Sequence, residues 1–245
     1  MKISMLAAAL ALAVVAAPVH ARGAEESKVR EAIASLVPDA RIDSVRAAPI
    51  EGYQEVVLQG QVVYVSNDGT KLIQGMIFDI PSKTDLTEVR RSDLRKSLLA
   101  KAPDSQRIAF KPKGEVKHRV AVFTDIDCGF CRELHKHMEE YNARGVEVDY
   151  LFFPRAGVGS ESFRKAVAVW CAKDQQTAMT EAKAGKDPGN ASCVNPIEAQ
   201  YQLGQQMGIT GTPTLIFPDG SVAPGYVTPD QLEARLTAAE AKAGQ

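Results

Sequence analysis

The sequence has no surplus of either charge: 29 Lys and Arg stand against 30 Asp and Glu, a net charge of −1. That balance excludes a general nucleic-acid binder, which carries a basic excess to meet phosphates. No apolar run reaches the roughly eighteen residues of a spanning helix. The longest, residues 5–17, has thirteen. Tryptophan occurs once and cysteine four times in 245 residues, too sparse for a disulfide-stapled miniprotein. Internal repeats and low-complexity tracts are missing as well. What remains is 45% apolar and 24% charged, enough for the core of one large or two small domains.

The apolar run sits at the N-terminus behind Lys2 and is followed by Val19-His20-Ala21. Basic start, short apolar stretch and small residues before a cut predict a cleavable secretory signal peptide over residues 1–21. Its removal takes away Lys2 alone and leaves a charge of −2. An exported chain meets oxidising surroundings, so its cysteines are able to form disulfides.

Residues 25–37 carry Val29, Ala32, Ile33 and Leu36 at helical spacing. Residues 53–58, 61–65 and 72–80 are rich in β-branched and aromatic side chains, and Ser66-Asn67-Asp68-Gly69 is a turn signal. These features predict a small antiparallel sheet of hairpins. Residues 84–101 become helical and highly charged, as in a helix bridging two domains, and 102–115 read as a loop. A second domain opens with a strand over 116–124, a helix over 129–142 and a strand over 146–153, a βαβ unit with a parallel pair. Helical stretches follow at 160–184 and 195–207. A hairpin is then expected around Pro218-Asp219-Gly220, and a last helix capped by Thr228, Pro229 and Gln231. The predicted class is α+β. The boundaries fall at 22–82 for the small sheet domain, 83–105 for the helical linker and 106–245 for the α/β domain.

Cys128-Gly129-Phe130-Cys131 lies between a strand and a helix. Free backbone N–H groups and the helix dipole favour negative charge there, so the Cys128 thiol ionises readily and becomes a nucleophile. Cys131, one turn on, is placed to resolve a mixed disulfide formed by Cys128. A purely structural bond is disfavoured because so short a loop gains little from crosslinking. Metal binding is disfavoured because a single C-x-x-C supplies only half of a zinc site, so neither metal nor cofactor is expected. His135 and His137 fall on different helix faces and are expected to face solvent or tune the site loosely. Four cysteines allow three pairings. Of these, 128–131 with 171–193 is the one consistent with a redox role for the first pair, and makes Cys171–Cys193 a structural bond. Gly211-Thr212-Pro213-Thr214 leads into a strand. A cis Pro213 would offer Thr212 backbone groups to an extended substrate, while a plain turn fits the same residues.

The strand, C-x-x-C, helix and later Thr-Pro resemble the thioredoxin superfamily. Within it, Phe123 to Cys131, Leu151-Phe152-Phe153-Pro154-Arg155, Trp170-Cys171-Ala172-Lys173-Asp174, Gly211-Thr212-Pro213, Pro224-Gly225-Tyr226 and Ile73-Gln74-Gly75 are similar to the DsbC family of bacterial periplasmic disulfide isomerases. The resemblance covers essentially the whole mature chain. It implies a homodimer paired through the N-terminal domains and a thioredoxin-like catalytic domain with a helical insertion. It also implies chaperone-like capture of misfolded disulfide-containing exported proteins, with reduction by the membrane reductase DsbD. Rival readings are a DsbG-like reductase of sulfenylated cysteines, a net oxidase of the DsbA type, and a dimeric chaperone with incidental cysteines. Gly129 and the Cys171/Cys193 pair argue against the first, and the N-terminal domain against the second.

Three departures stand out. Val122 occupies the position where thioredoxins bury an Asp, which leaves the proton acceptor of Cys131 unassigned. Phe130 replaces the usual Tyr. Asp127 precedes Cys128 where the family often has Thr, and its carboxylate is expected to disfavour the thiolate.

Overall fold

The computed structural model of the chain describes residues 18–243, so the predicted leader lies outside the described residues over 1–17. Helix α1 (Pro18–Leu36) lays Val29 and Ile33 on an antiparallel sheet. The sheet runs in the order β1 (Ile42–Ala47), β2 (Tyr53–Leu58), β3 (Gln61–Ser66) and β4 (Leu72–Ile73). Val56, Val63 and Val65 meet α1, whereas Val57, Val62 and Tyr64 form a second cluster on other neighbours, including Leu94. Both sheet faces are thus covered. That is why Val56-Val57-Leu58 of β2 and Val62 to Val65 of β3 read as apolar runs rather than as an alternation. Leu36 stays exposed although its spacing matched the buried face.

One strand was not foreseen and one expectation fails, each for a physical reason. β1, half-exposed and polar, carried no strand signal. The predicted strand over 72–80 is broken: only its first two residues pair with β3. Phe78–Asp79 (β5) pairs instead with Thr84–Asp85 (β6), because the chain turns away between them. Helix α2 (Leu86–Leu99) starts at Asp85, whose carboxylate accepts from Glu88 N–H. Buried Glu55 of β2 takes Arg46 at 2.7 Å and Arg90 of α2 at 2.8 Å, tying the helix to the sheet. At its far end Arg95 donates to the Gly220 carbonyl at 2.7 Å.

The second sheet has the order β11-β10-β8-β9-β7. Its strands are β7 (Ile108–Phe110), β8 (His118–Thr124), β9 (Val146–Phe152), β10 (Thr214–Ile216) and β11 (Val222–Pro224). β8 and β9 are parallel and the other pairings antiparallel. β7 falls in the stretch expected to be loop; three residues on a sheet edge leave too little pattern to detect. The helix expected over 129–142 is two, α3 (Gly129–Lys136) and α4 (Met138–Ala143), parted at His137 with φ −93° and ψ 15°. The stretch 160–184 likewise divides into α5 (Glu161–Trp170) and α6 (Gln175–Lys183), capped by Ser160 and Asp174. α7 (Ile197–Gln206) and α8 (Pro229–Ala243) complete the fold. At α8, Thr228 and Gln231 exchange the reciprocal bonds of a capping box. Gly204 of α7 sits against Phe153 and Phe123, where a Cβ would come within 2.5 Å of the Phe153 ring. Among the described residues no helix is long and apolar enough to cross a membrane.

Candidate active site

β8 ends at Thr124 and α3 begins at Gly129, so the four residues between must reverse the backbone. Buried Asp125 fixes that turn. Its carboxylate accepts the Asp127 N–H at 2.9 Å, the Arg155 N–H at 2.9 Å and the Arg155 guanidinium at 3.0 Å. Its carbonyl accepts the Cys128 N–H at 3.2 Å. Cys128 is thereby placed at the N-cap of α3, with extended φ −85° and ψ 121°. Of the free N–H groups of the first helical turn, that of Cys131 acts on its sulfur. Phe130 projects into solvent, 67% exposed, while Cys128 and Cys131 are 2% and 1% exposed.

The register of β10 on β8, with Thr214 opposite Phe123, carries the preceding residues past the end of β8 to the cysteines. The Thr212–Pro213 bond there is cis. The Cys128 thiol donates to the Thr212 carbonyl at 3.1 Å. The Thr212 hydroxyl oxygen is buried with no other partner among the described residues. Once Cys128 ionises, that hydroxyl is free to donate to the sulfur. The Pro213 carbonyl is held by Gly225 N–H at 2.7 Å.

These contacts separate the two thiols. The hydrogen bond from Cys131 chiefly lowers the Cys128 pKa, helped by the Thr212 hydroxyl, the Cys131 N–H and the charge of Arg155. Together they outweigh burial and bring it to about 5. Cys131 moves the other way, well above an ordinary thiol, because burial disfavours its charge and its proton is shared with Cys128. At neutral pH Cys128 is a thiolate and Cys131 a thiol.

Several contributors escaped the sequence. Asp125 and Arg155 act through turn closure, which no motif announces. Lys183 of α6 is buried beneath the site and donates to the Thr124 hydroxyl and the Asp125 carbonyl, both at 2.7 Å. His135 was expected to face solvent or tune the site loosely; the structure buries it against Tyr150 (3.1 Å) and Thr180 (3.0 Å). Burial and the charge of Lys183 press its pKa down to about 4, so it is neutral. His137 is at the surface with Glu140 and Glu133. The Asp127 carboxylate, expected to oppose the thiolate, faces Arg132 at 3.3 Å and Lys165 at 3.0 Å, which offset its charge.

The structure thus gathers Cys128, Cys131, Thr212 and Pro213 in one place, with Gly129 and Phe130 on the exposed rim. Cys171, at the end of α5, is bonded to Cys193 in the loop before α7, with the Cα atoms 5.7 Å apart.

Comparison with known proteins agrees with this architecture. Residues 104–240 match the family model described as a thioredoxin-like domain, and residues 20–88 that of the disulfide bond isomerase protein N-terminal domain. The thiol:disulfide interchange protein DsbC of Salmonella typhimurium is 38% identical over 213 residues, 87% of each chain. Its counterpart from Dickeya dadantii is 39% identical over 197 residues, 80% of this chain and 81% of that one. A solved disulfide interchange protein from Neisseria gonorrhoeae superposes with a TM-score of 0.51 at 36% identity, covering 56% of this chain and 98% of that one. Similarity of this depth across both units settles the assignment: the chain belongs to the DsbC family of thiol:disulfide interchange proteins and is an enzyme of thiol–disulfide exchange.

Proposed function

We propose that this enzyme reshuffles wrong disulfides in exported proteins, with Cys128 as the attacking thiol and Cys131 as the resolving one. The observation that carries this is the Cys128 sulfur at the N-cap of α3, 3.1 Å from the Thr212 carbonyl and beside Cys131, surroundings that lower its pKa to about 5. The Cys128 thiolate attacks a substrate disulfide, bonds to one sulfur and releases the other as a thiolate. That thiolate, or another in the substrate, then attacks elsewhere and returns Cys128, so electrons balance within the substrate. If Cys131 attacks first, the substrate leaves reduced and the enzyme oxidised.

Moving the pKa from 9.0 to about 5 raises the thiolate fraction at pH 7 about a hundredfold. Intrinsic nucleophilicity falls by roughly forty- to a hundredfold over the same interval. The two nearly cancel for attack, and the net gain lies in Cys128 as a leaving group. An isomerase, which must release its substrate, needs that property most.

The half-buried backbone at Thr212, beside Cys128, and the adjoining Pro213 would dock an extended substrate segment. Residues 22–82 would pair two copies and 83–105 would link them to the catalytic unit at 106–245, after loss of 1–21 on export to the periplasm. The pairing is supported by the apolar strip of Leu72, Ile73, Met76, Phe78 and Ile80 left in solvent beside the edge strand β4. DsbD would return electrons to Cys128 and Cys131. Cys171–Cys193 would brace the insertion, and the cleft between paired subunits would hold unfolded chains.

Trapping tests the roles. Cys131→Ser should accumulate a covalent enzyme–substrate complex that dithiothreitol releases, and Cys128→Ser should form none. A complex formed equally by Cys128→Ser would overturn the assignment.

A further inference from the structure

Resolution requires Cys131 to lose a proton, yet no carboxylate is free to take it. Val122 stands where an acid could have been, and the Asp125 carboxylate is fully engaged by Arg155 and the Asp127 N–H. What lies beneath Cys131 is an amine. Lys183 is 4% exposed, an unusual position for a residue that rarely gives up its hydration. Its Nζ is 2.7 Å from the Thr124 hydroxyl, and that hydroxyl is itself hydrogen-bonded to the Cys131 sulfur.

We propose, building on the roles given above to Cys128 and Cys131, that Lys183 accepts the proton of Cys131 through the Thr124 hydroxyl when a mixed disulfide is resolved. Thr124 passes its proton to the neutral amine and takes that of Cys131. The freed electron pair on the Cys131 sulfur forms the bond to the Cys128 sulfur. The bond from Cys128 to the substrate breaks, and its pair leaves on the substrate sulfur. Cys131 is oxidised and the substrate sulfur is reduced, while Cys128 stays at the disulfide level as it exchanges partners. The ammonium returns its proton to water through the surface cavity lined by Lys183, Thr180, His135 and Arg132.

The surroundings set the amine for this task. Burial pulls the Lys183 pKa from 10.5 to about 8, and Arg132 of α3 pushes in the same direction. Cys131 of α3, Asp125 of the preceding turn and Cys128 at the N-cap oppose the fall, so the amine holds a proton best when Cys131 is ionised. His135 of α3, backed by Tyr150 of β9, is neutral. Glu181 on the same helix is paired at the surface with Lys186. About one molecule in ten then carries the neutral amine at pH 7, and the share rises with pH. Lys183 acts on the reacting sulfur through another residue, so it is a positioning residue for the proton.

The test uses the full mature chain and glutathione disulfide. Rapid mixing and acid quenching follow formation and decay of the Cys128–glutathione mixed disulfide between pH 6 and 9.5. In the unsubstituted enzyme decay should accelerate with pH and level off above about 8. Lys183→Met, of similar length and suited to burial, should slow decay at pH 8 by at least about tenfold and remove that inflection. Formation should stay within a few-fold. Thr124→Val should do the same with Lys183 in place, and Thr124→Ser should restore the inflection. An unchanged decay profile in Lys183→Met, or equal slowing of formation and decay, would overturn the proposal. Failure of the underlying assignment looks different: no glutathione would be found on Cys128 in the unsubstituted enzyme.

Discussion

Thr212→Val removes a single hydroxyl while keeping the shape of the residue. In the reduced enzyme that hydroxyl has one use, donation to the ionised Cys128, since it has no other partner among the described residues. A hydrogen bond to a charged group contributes about 1.5–3 kcal/mol. One pKa unit corresponds to about 1.4 kcal/mol. The Cys128 pKa should therefore rise by about one to two units from its value of about 5. Thiolate absorbance near 240 nm and the pH dependence of iodoacetamide alkylation both report it. The thiolate should also become a poorer leaving group, so mixed disulfides with Cys128 should turn over more slowly at pH 7. An alkylation midpoint that stays within about 0.3 units would refute the reasoning and leave Cys131, its N–H and the charge of Arg155 as the causes.

Three further outcomes follow from the same geometry. The folded Cys128 pKa lies below its ordinary 9.0, so its contribution to the reduced enzyme is complete above that value and lost as pH falls through about 5. The stability difference between reduced enzyme and Cys128→Ser, read by urea unfolding, should rise from pH 5 to 9; a flat difference would show that the thiolate is not stabilised. Replacing Cys171 and Cys193 together by Ser should cost about 3 kcal/mol by loop-closure entropy, measured as a lower urea midpoint with a slope that stays or steepens as the unfolded chain loses its crosslink. Gly204→Ala should destabilise by about 1–3 kcal/mol through overpacking, because the new methyl would meet Phe153 at 2.5 Å and Phe123 at 3.2 Å.

The parts of the fold that the sequence displayed are those whose pattern is local. β2 and β3 announce themselves by consecutive β-branched and aromatic residues because helices cover both faces, and α8 by its capping box. β1 and β7 do not, since one is half-exposed and polar and the other three residues long. The site divides in the same way. Cys128 and Cys131 share one helical turn, and Thr212-Pro213 is a recognisable dipeptide before a strand. Lys183 belongs to an exposed-looking segment fifty-two positions beyond Cys131, and only the packing of α6 against α3 brings it under the sulfur. His135 misled for a related reason: its neighbours in sequence are charged, while its neighbours in space are Tyr150 and Phe110.

The central claim is that Cys128 rearranges disulfides. A scrambled multi-disulfide protein, incubated in glutathione buffer with the full mature chain or its Cys128→Ser variant, tests it through recovered substrate activity. Recovery with the unsubstituted enzyme and none above background with Cys128→Ser is the expected result. Equal recovery with both, or none with either while Cys128 still exchanges with glutathione, would contradict it.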